Sequence, residues 1–179
     1  MRRLIESTLV SVDGVIGEPH RWTGEHFGAE AIARALDQLT RTDAMVMGRR
    51  TYEMFSTIWS EPVDDYAAAI HSMSKYVFSS TLEHADWNNT TVIRGDVSSA
   101  VRDLKHQAGR DIVLYGHGPV GQALLEANLL DEIKLWIHPV VVGSGTLWFR
   151  DGKTSGLELV ATETTATGVV IVTYRPAGP

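Results

Sequence analysis

The sequence predicts an α/β fold: a mostly parallel central sheet ending in an antiparallel C-terminal hairpin, with helices on both faces. Three observations carry this expectation. Short aliphatic segments alternate with segments of helical period through the first two-thirds of the chain. Three aliphatic segments run into Gly- or Ser-containing turns, as strands do where they empty into a loop or helix start. Beyond residue 131 the helical period fades, and two strand-like runs flank a Thr167-Gly168 turn, a hairpin signal.

Each element follows from its local chemistry. Residues 3–10 are rich in aliphatic side chains and read as the first strand. Asp13-Gly14 then opens an irregular loop through Gly17, Pro19 and Gly24. Between residues 29 and 39, Ile32, Ala35, Leu36 and Leu39 recur at helical spacing. Residues 44–47 form a short apolar strand, a helix starts over 51–55, and another covers 64–73 with Ala67, Ile70 and Met73 along one side. A strand over 75–78 ends in Ser79-Ser80-Thr81. A strand over 91–94 precedes a helix over 97–107 that turns Val101 and Leu104 inward. Residues 111–115 make an apolar strand that empties into Gly116-His117-Gly118-Pro119-Val120-Gly121, followed by a helix over 122–127. The last third holds a long strand over 132–142 and hairpin strands over 157–162 and 169–174. No Pro-, Gly- or Ser-rich linker, repeat or low-complexity run interrupts the 179 residues, so one domain spanning 1–179 is expected.

Composition narrows the function. Apolar residues make up 44% and charged residues 21%, the balance of a soluble globular chain. The 16 basic and 22 acidic residues give a net charge of −6, which speaks against nucleic-acid binding. Cysteine is absent, which removes disulfides, thiol catalysis and thiolate metal sites. Met1-Arg2-Arg3-Leu4-Ile5-Glu6 places an acid where a secretory signal needs its apolar run. No stretch approaches the roughly 20 apolar residues of a membrane span, so a cytoplasmic protein without a membrane partner is expected. The seven histidines lack the spacings of metal-binding motifs, and no metal is expected. Gly143-Ser144-Gly145 lacks the glycine spacing of a nucleophile elbow, so hydrolysis is not expected.

In open α/β sheets ligands sit beyond the carboxyl ends of the parallel strands. Three such ends carry phosphate-binding chemistry here. At Gly48-Arg49-Arg50-Thr51, free N–H groups of a helix start lie beside guanidinium and hydroxyl donors. Ser79-Ser80-Thr81 supplies hydroxyls, and Gly116, Gly118 and Gly121 allow close approach of backbone amides. The last three glycines spell G-x-G-x-x-G, but the motif comes late in the chain, and no acid for a ribose follows about 20 residues on. Pro119 also removes one backbone donor. The site therefore has phosphate-binding chemistry without being a Rossmann fingerprint.

These segments carry a family resemblance. Met47-Gly48-Arg49-Arg50-Thr51-Tyr52-Glu53 is similar to the M-G-R-x-T-[WY]-E segment of the dihydrofolate reductase-like superfamily. Phe78-Ser79-Ser80 resembles its strand-end serines, and Tyr115-Gly116-His117-Gly118 its glycine-rich loop. Ser11-Val12-Asp13-Gly14-Val15-Ile16 resembles the S-x-D-G turn of the riboflavin-biosynthesis reductase branch. Asp131-Glu132-Ile133-Lys134-Leu135, with Pro139 and Gly143-Ser144-Gly145, is similar to the same branch. The chain thus resembles the C-terminal reductase domain of riboflavin-biosynthesis proteins, standing alone without the H-x-E and C-x-x-C pattern of their deaminase domain.

The resemblance implies a three-layer dihydrofolate reductase-like fold and NADPH as cofactor. Arg49, Arg50, Ser79 and Ser80 would hold the adenosine 2′-phosphate. Gly48 and Thr51, with Tyr115, Gly116, His117, Gly118, Val120 and Gly121, would cradle the diphosphate. Val10, Asp13, Gly14 and Ile16 would line the nicotinamide side. It implies hydride transfer to a small heterocyclic or ribosyl substrate, as in 5-amino-6-(5-phosphoribosylamino)uracil reductase, and a homodimer formed near strand 132–142. Trp22, Tyr52, Phe55, Trp59 and His138, with His26 and Tyr115, are substrate-side candidates, although aromatic residues equally fill cores; Trp136 and Trp148 are expected in the core or at a dimer contact. No catalytic residue is identified. One departure matters: the first-helix carboxylate of dihydrofolate reductases falls on Ile32, and the nearest acid, Glu30, stands two residues and about 200° away. Dihydrofolate is therefore a poor substrate candidate. The alternatives are a non-catalytic nucleotide-binding module or a dihydrofolate reductase-type enzyme.

Overall fold

The computed structural model describes residues 1–149, 152 and 154–177. In chain order its elements are β1 (Leu4–Ser11), α1 (Ala29–Thr40), β2 (Thr42–Gly48), α2 (Arg49–Ile58), α3 (Asp65–Ser72), β3 (Ser74–Phe78), β4 (Thr90–Ile93), α4 (Val97–His106), β5 (Asp111–Tyr115), α5 (Gly118–Glu126), β6 (Glu132–His138), β7 (Leu157–Thr164) and β8 (Val170–Pro176). Two short 3-10 turns, Pro19–Arg21 and Gly24–Phe27, lie between β1 and α1. Among the described residues no helix is long and apolar enough to cross a membrane.

The strands form one sheet in the order β4-β3-β2-β5-β1-β6-β8-β7. The ladders from β4 to β6 are parallel, and those of β6 with β8 and β8 with β7 are antiparallel. Strand β1 is buried almost continuously, the mark of a parallel strand covered on both faces. On one face Val101 and Leu104 of α4 and Leu124 and Leu125 of α5 pack on Leu4, Val46, Ile112 and Ile133. On the other, Ala35 and Leu39 of α1, Tyr52 of α2 and Ile70 of α3 pack on Met45, Met47, Val113 and Trp136. Both faces bury apolar side chains, and three layers result.

Helix starts are treated in two ways. Asp64 accepts the Ala67 amide at 2.7 Å and caps α3, and Asp96 accepts the Ser99 amide at 2.6 Å and caps α4. Helices α1, α2 and α5 have no side-chain cap. The last two begin at strand ends that carry phosphate-binding chemistry in the sequence.

The structure differs from expectation in two places. The strand expected over 132–142 stops at His138. Pro139 has no N–H for a ladder, and the segment beyond it pairs with the loop after β1, where the Val12 amide donates to the Val140 carbonyl at 3.0 Å. Helix α5 starts at Gly118 rather than 122, with Pro119 in its first turn, where a missing N–H costs nothing.

Lys75 on β3 is fully buried. Its ammonium donates to the carbonyls of His71 at 2.8 Å, Met73 at 2.9 Å and Asn88 at 3.2 Å, and lies 4.3 Å from the Trp87 ring centre. It ties α3 and β3 to the connection that precedes β4. Burial lowers its pKa from 10.5 to about 8. Between those values the unfolded chain binds more protons than the folded one, so stability rises with pH across that window. The urea midpoint is expected to be higher at pH 9 than at pH 7.5, and Lys75→Met should flatten that rise.

Candidate active site

Strands β2 and β5 are adjacent and parallel, so α2 and α5 start side by side at one edge of the sheet. The two starts touch. A Cβ on Gly116, whose φ is +70°, would lie 2.7 Å from Thr51 Oγ1, and one on Gly48 would lie 3.5 Å from Val120 Cγ2. A side chain at 116 would be strained and would fill the gap between the helix ends. With no side-chain cap on either helix, amide groups of both first turns are left for an external acceptor, and the two dipoles point their positive ends at the same place.

The rim of this cradle is cationic. Arg49 lies 3.1 Å from Thr81 Oγ1 through Nη1 and 3.5 Å from Glu53 through Nε, and Arg50 is exposed. Ser79 Oγ accepts the amides of Thr81 and Leu82 at 3.2 and 2.9 Å, which folds 79–82 into a turn. Arg94, unmarked in the sequence reading, donates to the carbonyls of Ser80 and Leu82 at 2.9 and 2.8 Å and holds that turn from below. Parallel pairing of β2 with β3 sets the Ser79–Thr81 turn beside Arg49.

Behind the cradle lies a buried polar hub. Glu6 of β1 is inaccessible, and its carboxyl accepts Thr8 Oγ1 at 3.0 Å and Trp148 Nε1 at 2.8 Å, with His117 Nδ1 at 3.0 Å. His117 is the residue just before α5, so its ring points inward to Glu6 rather than outward. A Cβ on Gly121 would lie 2.6 Å from the same ring, so that glycine makes room for the histidine. The hub fixes the loop after β5 and the Trp148 segment to β1. A lone acid within the aliphatic run of β1 is the signal that could have revealed it.

Asp13 ties down the loop after β1. Its carboxylate accepts Ser11 Oγ at 2.6 Å and the amides of Val142 and Gly143 at 3.1 and 2.7 Å. The Ser11 hydroxyl first, and then the two amides, hold its pKa at about 2. The carboxylate joins this loop to the Val142–Gly143 segment, and further along the Ile16 amide donates to the Thr146 carbonyl at 2.8 Å.

A cavity of about 310 Å³ opens from the cradle and shares Thr51 and Gly116 with it. Ser7 of β1, Gln38 of α1, Phe55 of α2, Trp59 just after it, Tyr66 of α3 and Tyr115 of β5 are among the residues that line it. The Phe55 and Tyr115 rings lie 5.0 Å apart at a tilt of 48°, and Trp59 meets Tyr66 edge-on at 5.1 Å. Burial raises the Tyr66 pKa to about 12, and that of Tyr115 well above its ordinary value, so both present neutral hydroxyls. Gln38 is buried, and neither its oxygen nor its nitrogen meets a partner in the protein.

The structure sorts the candidates. Ile16, Thr51, Phe55, Trp59, Tyr115 and Gly116 converge on the cavity, and Trp136 borders it with Nε1 donating to Ser7 Oγ at 3.1 Å. Gly48, Arg49, Arg50, Ser79, Ser80, Gly118 and Val120 surround the cradle. Val10 lies in the core. Tyr52 turns towards Trp87, whose amide donates to its hydroxyl at 3.2 Å. Trp22 packs edge-on against His138 at 5.5 Å and donates to the Gly17 carbonyl, and neither ring lines the cavity. His138 is fully buried, with Nδ1 2.8 Å from the Trp136 carbonyl, and burial pushes its pKa down. His26 meets the Thr167 carbonyl at 2.9 Å. Glu30 pairs with Arg34 at 3.0 Å and accepts the Ala166 amide at 2.8 Å, away from the cavity. The lining residues contributed by α1 are Ala35 and Gln38, so no carboxylate of that helix enters the cavity. Sequence spacing gave no warning of Gln38 or Tyr66.

Comparison with known proteins agrees with this architecture. The family model of the RibD C-terminal domain matches residues 2–171. Protein YyaP of Bacillus subtilis (strain 168) is 31% identical over 180 residues, covering 97% of this chain and 95% of its own. A diaminohydroxyphosphoribosylaminopyrimidine deaminase/5-amino-6-(5-phosphoribosylamino)uracil reductase from Thermotoga maritima superposes with a TM-score of 0.69 at 13% identity, over 98% of this chain and 57% of its own. Dihydrofolate reductase from Enterococcus faecalis, in complex with NADP(H), superposes with a TM-score of 0.64 at 18% identity, over 98% and 97%. The two superpositions establish the dihydrofolate reductase-like fold.

The hub makes a direct prediction. Glu6→Gln would turn an amide nitrogen towards groups that themselves donate, and should cost about 2 kcal/mol or more, read as a lowered urea midpoint with an unchanged slope.

Proposed function

The chain belongs to the RibD C-terminal domain family, and on that premise we propose that it is an NADPH-dependent reductase of a small heterocyclic or ribosyl substrate, acting as one domain. One observation carries the reading. Two helix starts without side-chain caps meet at Gly116 and Thr51, rimmed by Arg49, Arg50 and the Ser79–Thr81 turn, and open onto an aromatic cavity. An adenosine 2′-phosphate is dianionic, and two exposed guanidinium groups beside serine hydroxyls suit it. The diphosphate fits the amide groups at the starts of α2 and α5, where a Cβ on residue 116 would intrude. NADPH bound there supplies a hydride to an acceptor in the cavity.

The chain's own residues do the rest. Glu6 and His117 hold the loop after β5 in the shape the cradle needs. Asp13 anchors the loop after β1, and the Ile16 amide, bonded to the Thr146 carbonyl, keeps Ile16 at the cavity wall. Phe55, Trp59 and Tyr115 exclude water and give a planar ring aromatic surfaces on which to lie. The hydroxyls of Ser7, Thr8 and Tyr66 stand at the lining where a proton could be exchanged with a reducing centre. A riboflavin-pathway substrate such as a ribosylamino-pyrimidine falls within this class, and so do other small rings. The absence of an α1 carboxylate from the lining favours one further reading, a nucleotide-binding module without turnover, and an NADPH-oxidation screen over pyrimidine, pterin and quinone acceptors separates the two.

A homodimer belongs to the same proposal. Val12 and Val141 lie on neighbouring loops beyond β1 and β6 and are 61% and 74% exposed, an apolar pair suited to a second copy. Light scattering at micromolar concentration should return twice the chain mass, and Val141→Asp should shift it to the monomer.

Quenching of tryptophan fluorescence should show NADPH binding more tightly than NADH. The double substitution Arg49→Ala, Arg50→Ala should weaken NADPH by about 10- to 100-fold while NADH changes little. No binding of either nucleotide at millimolar concentration overturns the proposal.

A further inference from the structure

Gln38 is the anomaly of the cavity. It sits in the third turn of α1 on the stripe of Ala31 and Ala35, the face that α1 buries. Only 7% of the residue is exposed, yet both ends of its carboxamide lack a hydrogen-bond partner in the protein. A buried amide left this way is an open cost to the fold unless a bound group completes it. Its neighbours do not supply the group, and it lines the same cavity as Ser7, Tyr66 and Tyr115.

Among the described residues, no Lys, Arg, Asp or Glu lines this cavity. Recognition there is by dipoles and aromatic faces, not by ion pairs. A carboxamide presents one acceptor oxygen beside an N–H donor, in one plane. Its complement is a planar group with an N–H next to a C=O, the lactam edge of an oxidised nitrogen heterocycle. A bare aromatic hydrocarbon or a quinone would leave the amide nitrogen or oxygen unmet, and a carboxylate or phosphate would find no lysine or arginine in the lining, where His20 is the basic side chain among the described residues.

We propose that Gln38 is the specificity-determining residue of the cavity and selects an uncharged, planar heterocycle by pairing its carboxamide with that ring's lactam edge. The inference rests on the cavity being the substrate site, as in the proposed function, but not on which nucleotide fills the cradle. Phe55, Trp59 and Tyr115 grip the ring faces, and Gln38 sets which edge points towards α1.

The test uses two uncharged probes, lumazine and 1,3-dimethyllumazine, which share a ring system but differ in the N–H groups. Calorimetric titration of the full chain should give lumazine a tighter Kd by about tenfold or more, with little dependence on salt. In Gln38→Leu, which keeps side-chain size without polar atoms, the preference should fall to near unity. That variant should also raise the Tm of the ligand-free protein, because two unmet polar atoms are gone, whereas a merely structural glutamine would lower it when removed. Gln38→Glu, which only accepts, should shift the preference towards 2,4-diaminopyrimidine and provides the test if the leucine variant does not fold. Equal binding of both lumazines to the unaltered protein, a preference that survives in Gln38→Leu, or no binding of either probe overturns the proposal. Lumazine discrimination without NADPH binding would instead sink the cofactor reading and leave Gln38 in its role.

Discussion

Parallel pairing of β2 with β5 is the constraint on which the site depends. Two strands that are far apart in sequence end at the same level, and each is followed at once by a helix. Their amide ends therefore converge without any long loop to hold them. The convergence requires that nothing stand between them, and at residue 116 that requirement is absolute in practice: the backbone is left-handed and Thr51 occupies the space where a Cβ would go. The proposed phosphate site would come from sheet topology first and from side chains second. Arg49, Arg50 and the Ser79–Thr81 turn decorate a position that the ladder has already chosen.

The polar interior serves that arrangement. Glu6 sits in the middle of the sheet, on the strand next to β5, and gathers a hydroxyl, an indole and an imidazole around one carboxyl group. A buried acid is expensive unless its oxygens are satisfied, and here three donors from three chain segments satisfy it. The result is that the loop after β5 and the segment carrying Trp148 cannot move independently of β1. Asp13 repeats the device at the surface, where two loops depend on one carboxylate. The cavity walls are thus set by a few polar anchors, while its surface is aromatic.

Much of this was legible in the sequence, for definite reasons. Strands β1, β2, β3 and β5 have apolar runs that end in Gly or Ser, so their ends and the phosphate chemistry could be read together. The first-helix acid could be placed off the site by helical phase, and Glu30 does pair with Arg34 instead. Val140, Val141 and Val142 have the composition of a strand, so the local pattern extends past His138, where β6 ends. Pairing with the loop after β1, which no local pattern encodes, captures that segment. Gly118 and Pro119 have the composition of a loop, which hides the start of α5, yet both are at home in a first helical turn. Gln38 and Tyr66 were not seen because their place in the cavity comes from how α1 and α3 cross the sheet, and Arg94 because its carbonyl partners lie in a turn that forms only with the fold.

The two uncapped helix starts that meet at the cradle have a meaning beyond recognition. Helices α3 and α4 carry their own acceptors, so their ends are complete in every solution condition. Helices α2 and α5 do not, and on the proposed reading a bound anion would supply them. Whatever anion occupies that edge becomes part of the folded state's free energy, through its concentration as well as its affinity. On the proposed reading the central strands β2 and β5 would thereby be coupled to the abundance of a small molecule, and the stability of the chain would become a readout of its ligand supply.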